Sequence, residues 1–222
     1  MMLTNKPPSA AESRKKRPLC PGKAGVQIEG LSAPLEWKGI FGDENRAEVE
    51  IGSGKGAFLL HAAEMRPNVN FLGIEQANAC YLYAADRVRR RRLRNVRLVR
   101  ADARIFIPEF LAPESVGGFH IYFPDPWPKK RHHKRRLITL DFLRELWRCL
   151  IPGGWINLVS DHEAYFQYCR ERIDASGLFD RQAFQGTPGA NPGEWVGTNF
   201  ERKFAQQGRK FFGLTAIKRN AP

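Results

Sequence analysis

From Ala47 onward the chain repeats one pattern, a short apolar run, a turn, and then a stretch with apolar residues at helical spacing. Residues 47–51 form the first run, Gly52 breaks it, and residues 57–65 carry helical periodicity until Pro67 stops them. The unit recurs four times. Strands are expected at 71–74, 96–99, 119–123 and 155–159, and helices at 78–92, 103–111, 136–150 and 163–175. Strand–helix–strand units close only as a parallel sheet with helices covering its faces. The last two runs, 179–184 and 211–217, are joined by a Gly, Pro and Asn-rich connection without helical spacing, which predicts an antiparallel hairpin at one sheet edge. The expectation is therefore α/β: a doubly wound, mostly parallel seven-stranded sheet with an antiparallel C-terminal edge hairpin. There is no internal sequence repeat. Residues 1–30 are rich in Pro, Ser, Gly and Lys without periodicity and read as a basic, disordered arm, which leaves residues 31–222 as a single domain.

Charge narrows the function. Lys and Arg outnumber Asp and Glu by 36 to 23 in 222 residues, a net +13, so the surface attracts a polyanion, with nucleic acid the first candidate. The bland alternative is a basic protein that merely stays soluble. Cys20, Cys80, Cys149 and Cys169 are scattered, with no CxxC pair and no His at ligand spacing, so reduced thiols and no metal site are expected. No apolar run reaches membrane-span length, and the first residues lack the apolar centre of a signal peptide, which points to the cytoplasm and away from membranes. The basic cluster at Arg14 to Arg17 reads as a solvated or RNA-touching tail.

Glu50-Ile-Gly-Ser-Gly-Lys-Gly56 lies where the first strand hands over to the first helix, the position at which Rossmann-like folds bring backbone close to a ligand. Gly52, Gly54 and Gly56 serve either that approach or a tight turn with no ligand. Glu75, at the end of the second strand, stands where nucleotide folds place an acid for both ribose hydroxyls. Asp102, after the third strand, is either an acceptor for an adenine amine or a helix N-cap. These features suit both nicotinamide dinucleotides and S-adenosylmethionine. Glu50 separates the two, because a carboxylate before the first glycine attracts the ammonium of a methionine moiety and repels a pyrophosphate. The spacing of this loop and Glu75 resembles the class I S-adenosylmethionine-dependent methyltransferases.

The segment FPDPWPKKRHHKRR, residues 123–136, begins at the end of the fourth strand. Pro124 and Pro126 bracket Asp125 and restrict its backbone, which suits a fixed catalytic carboxylate. Lys129, Lys130, Arg131, Lys134, Arg135 and Arg136 then make a dense phosphate-binding run. His132 and His133 have no nearby Cys or acid and make a poor metal site.

This segment resembles the signature of the tRNA (guanine-N7-)-methyltransferases, in which FPDPW is followed by a lysine and an RHxKRR run. The resemblance extends to Gly197-Thr-Asn-Phe-Glu201 and Lys203, where the family has TxFExK, and covers Leu35 to Lys218. It implies transfer of a methyl group from S-adenosylmethionine to N7 of guanine in tRNA, in the variable loop, with DNA not expected as a partner. It further implies Glu50, Glu75, Asp102 and Asp125 at the cofactor, and Lys129, Asp161, Thr198, Asn199, Phe200 and Glu201 at the guanine or its nucleotide, with Lys130, Arg131, Lys134, Arg135 and Arg136 on the tRNA backbone. Asp161 and Glu201 are the acids available to accept from guanine N1 and N2, although Asp161 reads equally as the N-cap of the next helix. N7 carries no proton, so Asp125 is expected to stabilise growing positive charge rather than act as a base. Nine arginines between Arg87 and Arg104 read either as a tRNA-tracking surface or as a solvated helix face. A monomer or homodimer is expected. Two other classes stay open: a non-enzymatic RNA-binding module on the same fold, for which Glu50, Glu75 and Asp125 would be superfluous, and a nicotinamide-dependent oxidoreductase, against which Glu50 counts.

Overall fold

The computed structural model describes residues 19–28, 31–187, 190 and 193–220, with the backbone alone for Asn199. The basic cluster at Arg14 to Arg17 lies outside them. Eight strands form one sheet: β1 (Gly25–Val26), β2 (Ala47–Ile51), β3 (Asn70–Ile74), β4 (Val96–Val99), β5 (Val116–Tyr122), β6 (Leu150–Ser160), β7 (Phe179–Ala183) and β8 (Phe212–Lys218). Their order is β1-β4-β3-β2-β5-β6-β8-β7. All pairings are parallel except those that β8 makes with β6 and β7. The α/β, mostly parallel expectation holds, with one strand more than expected.

The extra strand is β1, at a sheet edge beside β4, with Gly25 opposite Leu98. Residues 25 and 26 of the expected arm thus belong to the sheet, entered through a 3-10 turn over Gly22–Ala24, and a two-residue strand is too short to show periodicity. At the other edge, β8 inserts between β6 and β7, so the outermost strand is β7.

Among the described residues seven α-helices connect and cover the strands: α1 (Trp37–Phe41), α2 (Ala57–Met65), α3 (Asn78–Arg91), α4 (Ala103–Phe110), α5 (Leu140–Cys149), α6 (Glu163–Ser176) and α7 (Asn199–Ala205). Phe58, Leu59, Tyr81 and Val88 of α2 and α3 pack on one sheet face with Phe71 and Leu98. Phe106, Ile107, Leu143 and Ile173 of α4, α5 and α6 pack on the other with Val49, Ile74 and Phe119. Side chains alternate along β2, so Val49 and Ile51 join this second layer while Glu48 and Glu50 point into the first.

Two boundaries moved. Helix α5 starts at Leu140, where Thr139 accepts from the Phe142 N–H as its cap, and the basic run before it is a 3-10 turn over Lys130–Arg135. Strand β6 runs through Pro152, Gly153 and Gly154, which read as a helix stop. The neighbouring strand needs Gly118, because a Cβ there would lie 2.6 Å from the Trp155 indole. Strand order reverses between β2 and β5, and an open sheet leaves a crevice at the carboxyl ends of such strands.

Candidate active site

The first wall of this crevice is the glycine loop after β2. Gly52 has φ 77° and Gly54 φ 53°, left-handed values that disfavour any side chain. The Gly52 N–H donates to the Ile74 carbonyl at 2.8 Å. Glu75 ties two turns together, one carboxylate oxygen accepting from the Gly54 N–H and the other from the Ala77 N–H, each at 2.7 Å. Asp102 accepts from the Arg104 N–H at 2.9 Å, as the N-cap of α4, and pairs with the Arg104 guanidinium at 2.6 Å. The hydrogen bond and charge of Arg104 hold the Asp102 carboxyl below its usual range against the opposing effect of burial. Asp102 thus caps α4, and its side chain also lines the crevice.

Glu50 differs from these acids. It is buried, and its Oε2 has no hydrogen-bond partner among the described residues. Burial, and next the negative charge of Glu75, push its carboxyl well above the usual range. A buried acid without a partner is costly, and a cationic group arriving beside it removes that cost.

The crevice has two lobes. One, of about 540 Å³, is lined by Glu75, Asp102, Asp125, Trp127 and Arg135. The other, of about 390 Å³, is lined by Glu50, the glycine loop, Thr198, Phe200 and Lys203. Gly52, Tyr122 and Phe123 line both.

The segment after β5 is strained. Phe123 and Trp127 take left-handed φ of 52° and 43°, unusual for aromatic residues, on either side of Pro-Asp-Pro. The Phe123 N–H is fixed to the Val159 carbonyl at 2.7 Å. Asp125 is exposed to the larger lobe and makes no hydrogen bond or ion pair with the described residues.

Arg136 requires a correction. Instead of reaching outward to a phosphate, it is 8% exposed, donates from Nε to the Pro126 carbonyl at 3.1 Å, and lies over the Tyr168 ring at 4.5 Å. Its guanidinium clamps the Pro-Asp-Pro loop onto α6. Lys129, Lys130, Arg131, Lys134 and Arg135 are exposed, with Arg135 stacked 4.9 Å over Trp127.

The third wall comes from α7, which sequence reading placed in an irregular connection. Thr198 caps it by accepting from the Glu201 N–H at 3.0 Å. Glu201 is only 2% exposed, and its carboxylate accepts from the N–H groups of Trp195, Val196 and Gly197. Its carboxylate is turned onto the backbone before α7 rather than into the crevice, where sequence reading set it at guanine N1 and N2. Thr198 and Glu201 stand at capping-box spacing, but the Glu201 carboxylate reaches past the cap to the three residues before it. Phe200 packs against Phe123 with ring centres 4.7 Å apart and the planes tilted by 36°, which brings α7 against the crevice. Asp161 is not the cap of α6, a role taken by His162. It pairs with Arg209 at 2.6 Å.

Among the Arg87–Arg104 group, Arg89 and Arg90 pair with Asp86, Arg91 with Glu64 and Arg104 with Asp102, while Arg92, Arg94 and Arg100 stay exposed. Tyr122, Trp127 and Arg135 are lining residues that sequence reading did not assign to the crevice. Trp127 and Arg135 lay inside the motif, but Tyr122 carried no signal. Among the described residues there is no cluster of three or more potential metal-ligating side chains and no helix long and apolar enough to cross a membrane.

Residues 44–214 match a family model described as "Putative methyltransferase". A tRNA (guanine-N(7)-)-methyltransferase of Thermotoga maritima is 37% identical over 83% of this chain, which spans 58% of that protein. The enzyme of the same name from Streptococcus thermophilus is 32% identical over 86% of this chain and 89% of its own length. In fold, the chain is similar to a SAM dependent methyltransferase from Aquifex aeolicus, with a TM-score of 0.55 at 17% identity over 80% of this chain and 84% of that one. With two walls of a cofactor crevice, a strained Pro-Asp-Pro loop and these matches, the chain belongs to the tRNA (guanine-N(7)-)-methyltransferase family.

Proposed function

We propose that this protein transfers a methyl group from S-adenosylmethionine to N7 of guanine in the variable loop of tRNA, working in the cytoplasm as a monomer or homodimer. The observation that carries the cofactor assignment is the partnerless buried oxygen of Glu50 beside the glycine loop, a site that fits an ammonium group. Glu50 and the loop of Gly52, Gly54 and Gly56 hold the methionine end. Glu75 and Asp102 hold the adenosine end in the larger lobe. When bound, the cofactor supplies an electrophilic methyl on a sulfonium.

The chain's own residues need not move a proton, because guanine N7 presents a lone pair and carries none. Asp125, held between two prolines, places its charge where the purine becomes positive and so favours the transition state over the ground state. Phe200 and Thr198 form the base-side wall, with Asn199, Lys129 and Asp161 around the nucleotide. Lys130, Arg131, Lys134 and Arg135 lie along the tRNA backbone.

One incubation tests this. The protein is mixed with tRNA and methyl-labelled S-adenosylmethionine, and the digested RNA is analysed. Label recovered as 7-methylguanosine at a variable-loop position is the expected result. Tight tRNA binding without label would replace the enzyme by an RNA-binding module.

A further inference from the structure

A buried chain of polar groups crosses the sheet beneath the crevice, on the face covered by α2. The Arg66 guanidinium donates to Glu48 at 2.9 Å. Glu48 meets His120 Nε2 at 2.9 Å, and His120 Nδ1 meets the Tyr122 hydroxyl at 2.6 Å. On the next strand the Asn157 side-chain oxygen accepts from Thr215 at 2.6 Å. Burial would raise the Glu48 carboxyl, but the hydrogen bonds and charges of His120 and Arg66 outweigh it and hold the acid ionised. Burial keeps His120 neutral despite that partner. An ionised acceptor at Nε2 places the ring proton there, so Nδ1 accepts and the Tyr122 hydroxyl donates. The phenol is thereby fixed through its hydroxyl. Methyl transfer to N7 uses none of these groups, and buried polar chains are costly unless every member is satisfied.

The two lobes indicate what the chain positions. Glu75 lines the ribose side and Glu50 the ammonium side, and only Gly52, Tyr122 and Phe123 line both. In S-adenosylmethionine the atom that joins those two ends is the sulfonium. Of the three shared residues Gly52 offers backbone alone, the Phe123 ring is packed against Phe200 and Phe211, and the Tyr122 ring meets Phe58 edge to face at 5.1 Å. We propose that Tyr122 is a cofactor-contacting residue whose electron-rich ring, held in place by Glu48 and His120 as positioning residues, favours the sulfonium over a neutral thioether. This rests on the cofactor assignment above. It gives the site a physical means of preferring the methyl donor to its demethylated product, S-adenosylhomocysteine.

Calorimetric titration of the full chain with each of the two ligands tests the proposal. The readout is the ratio of the two dissociation constants, which does not depend on the fraction of folded protein; the titration stoichiometry reports that fraction separately. Tyr122→Leu should shrink the wild-type preference for S-adenosylmethionine about tenfold, whereas Tyr122→Phe, which keeps the ring but loses the bond to His120, should shrink it only about threefold. His120→Phe, which removes the hydroxyl's acceptor, should shrink it about threefold with Tyr122 still present. An unchanged ratio in Tyr122→Leu overturns the ring's role, and an unchanged ratio in His120→Phe overturns the positioning role of the chain. Wild-type protein that binds neither ligand overturns the cofactor assignment itself, and this proposal with it.

Discussion

Asp125 and Glu50 are both carboxylates at strand ends, yet their surroundings demand opposite behaviour. Asp125 faces the larger lobe, exposed and held by its prolines, so its charge is available to a reacting base. Asp125→Asn should lower kcat about 100-fold and leave the cofactor dissociation constant within about threefold, measured by single-turnover methylation and titration. Equal turnover would remove the residue from the mechanism. Glu50 instead sits buried and partnerless, a cost to the ligand-free fold. Its folded carboxyl titrates well above the 4.5 of an unfolded glutamate, so its contribution to stability is complete below pH 4.5 and declines as pH rises toward the folded value. Glu50→Gln should therefore match wild type below that pH and melt about 3 °C higher near neutrality. The same variant should lose about tenfold or more in cofactor affinity. A variant that is less stable at neutral pH would contradict this account of Glu50. The motif made both acids legible in the sequence. Their difference in burial was not, because it depends on how α2 and β3 close over one side of β2.

At the scale of elements, strands and helices with a strong apolar period were readable, and those stabilised by single polar contacts were not. Helix α7 is seven residues long and is set by Thr198 and by a carboxylate that gathers three backbone N–H groups. Glu201→Gln replaces an acceptor oxygen with a donor and leaves at least one of those N–H groups unpaired, at about 1–3 kcal/mol. Amide exchange at Val196 and Gly197 should quicken about tenfold or more, while discrimination of guanine from adenine stays intact. Unchanged protection, or lost discrimination, would return Glu201 to the base. Arg136 belongs to the same class. Six cations in one run suggested six phosphate contacts, and only the approach of α6 shows that one of them turns inward to Pro126 and Tyr168.

Over the whole molecule, the net charge of +13 and the basic turn next to the crevice set the terms of RNA binding. If Lys129, Lys130, Arg131, Lys134 and Arg135 each meet a phosphate, the logarithm of tRNA affinity should fall against the logarithm of salt with a slope of about −4. Replacing Lys130, Arg131 and Lys134 by Ala should reduce that slope by about 2.5, and a slope left unchanged would move the RNA elsewhere on the surface. The sequence alone determined seven of the eight described strands, the glycine loop and the rigid Pro-Asp-Pro segment, because apolar period, glycine and proline act on their own neighbours in the chain. Tertiary structure decided which polar groups are free to act. Glu50 is left without a partner, Glu75 and Glu201 are spent wholly or partly on backbone N–H groups, and Glu48, His120 and Tyr122 are linked across two strands. Whether a carboxylate meets ligand or backbone depends on residues far away in sequence, and only packing brings those together.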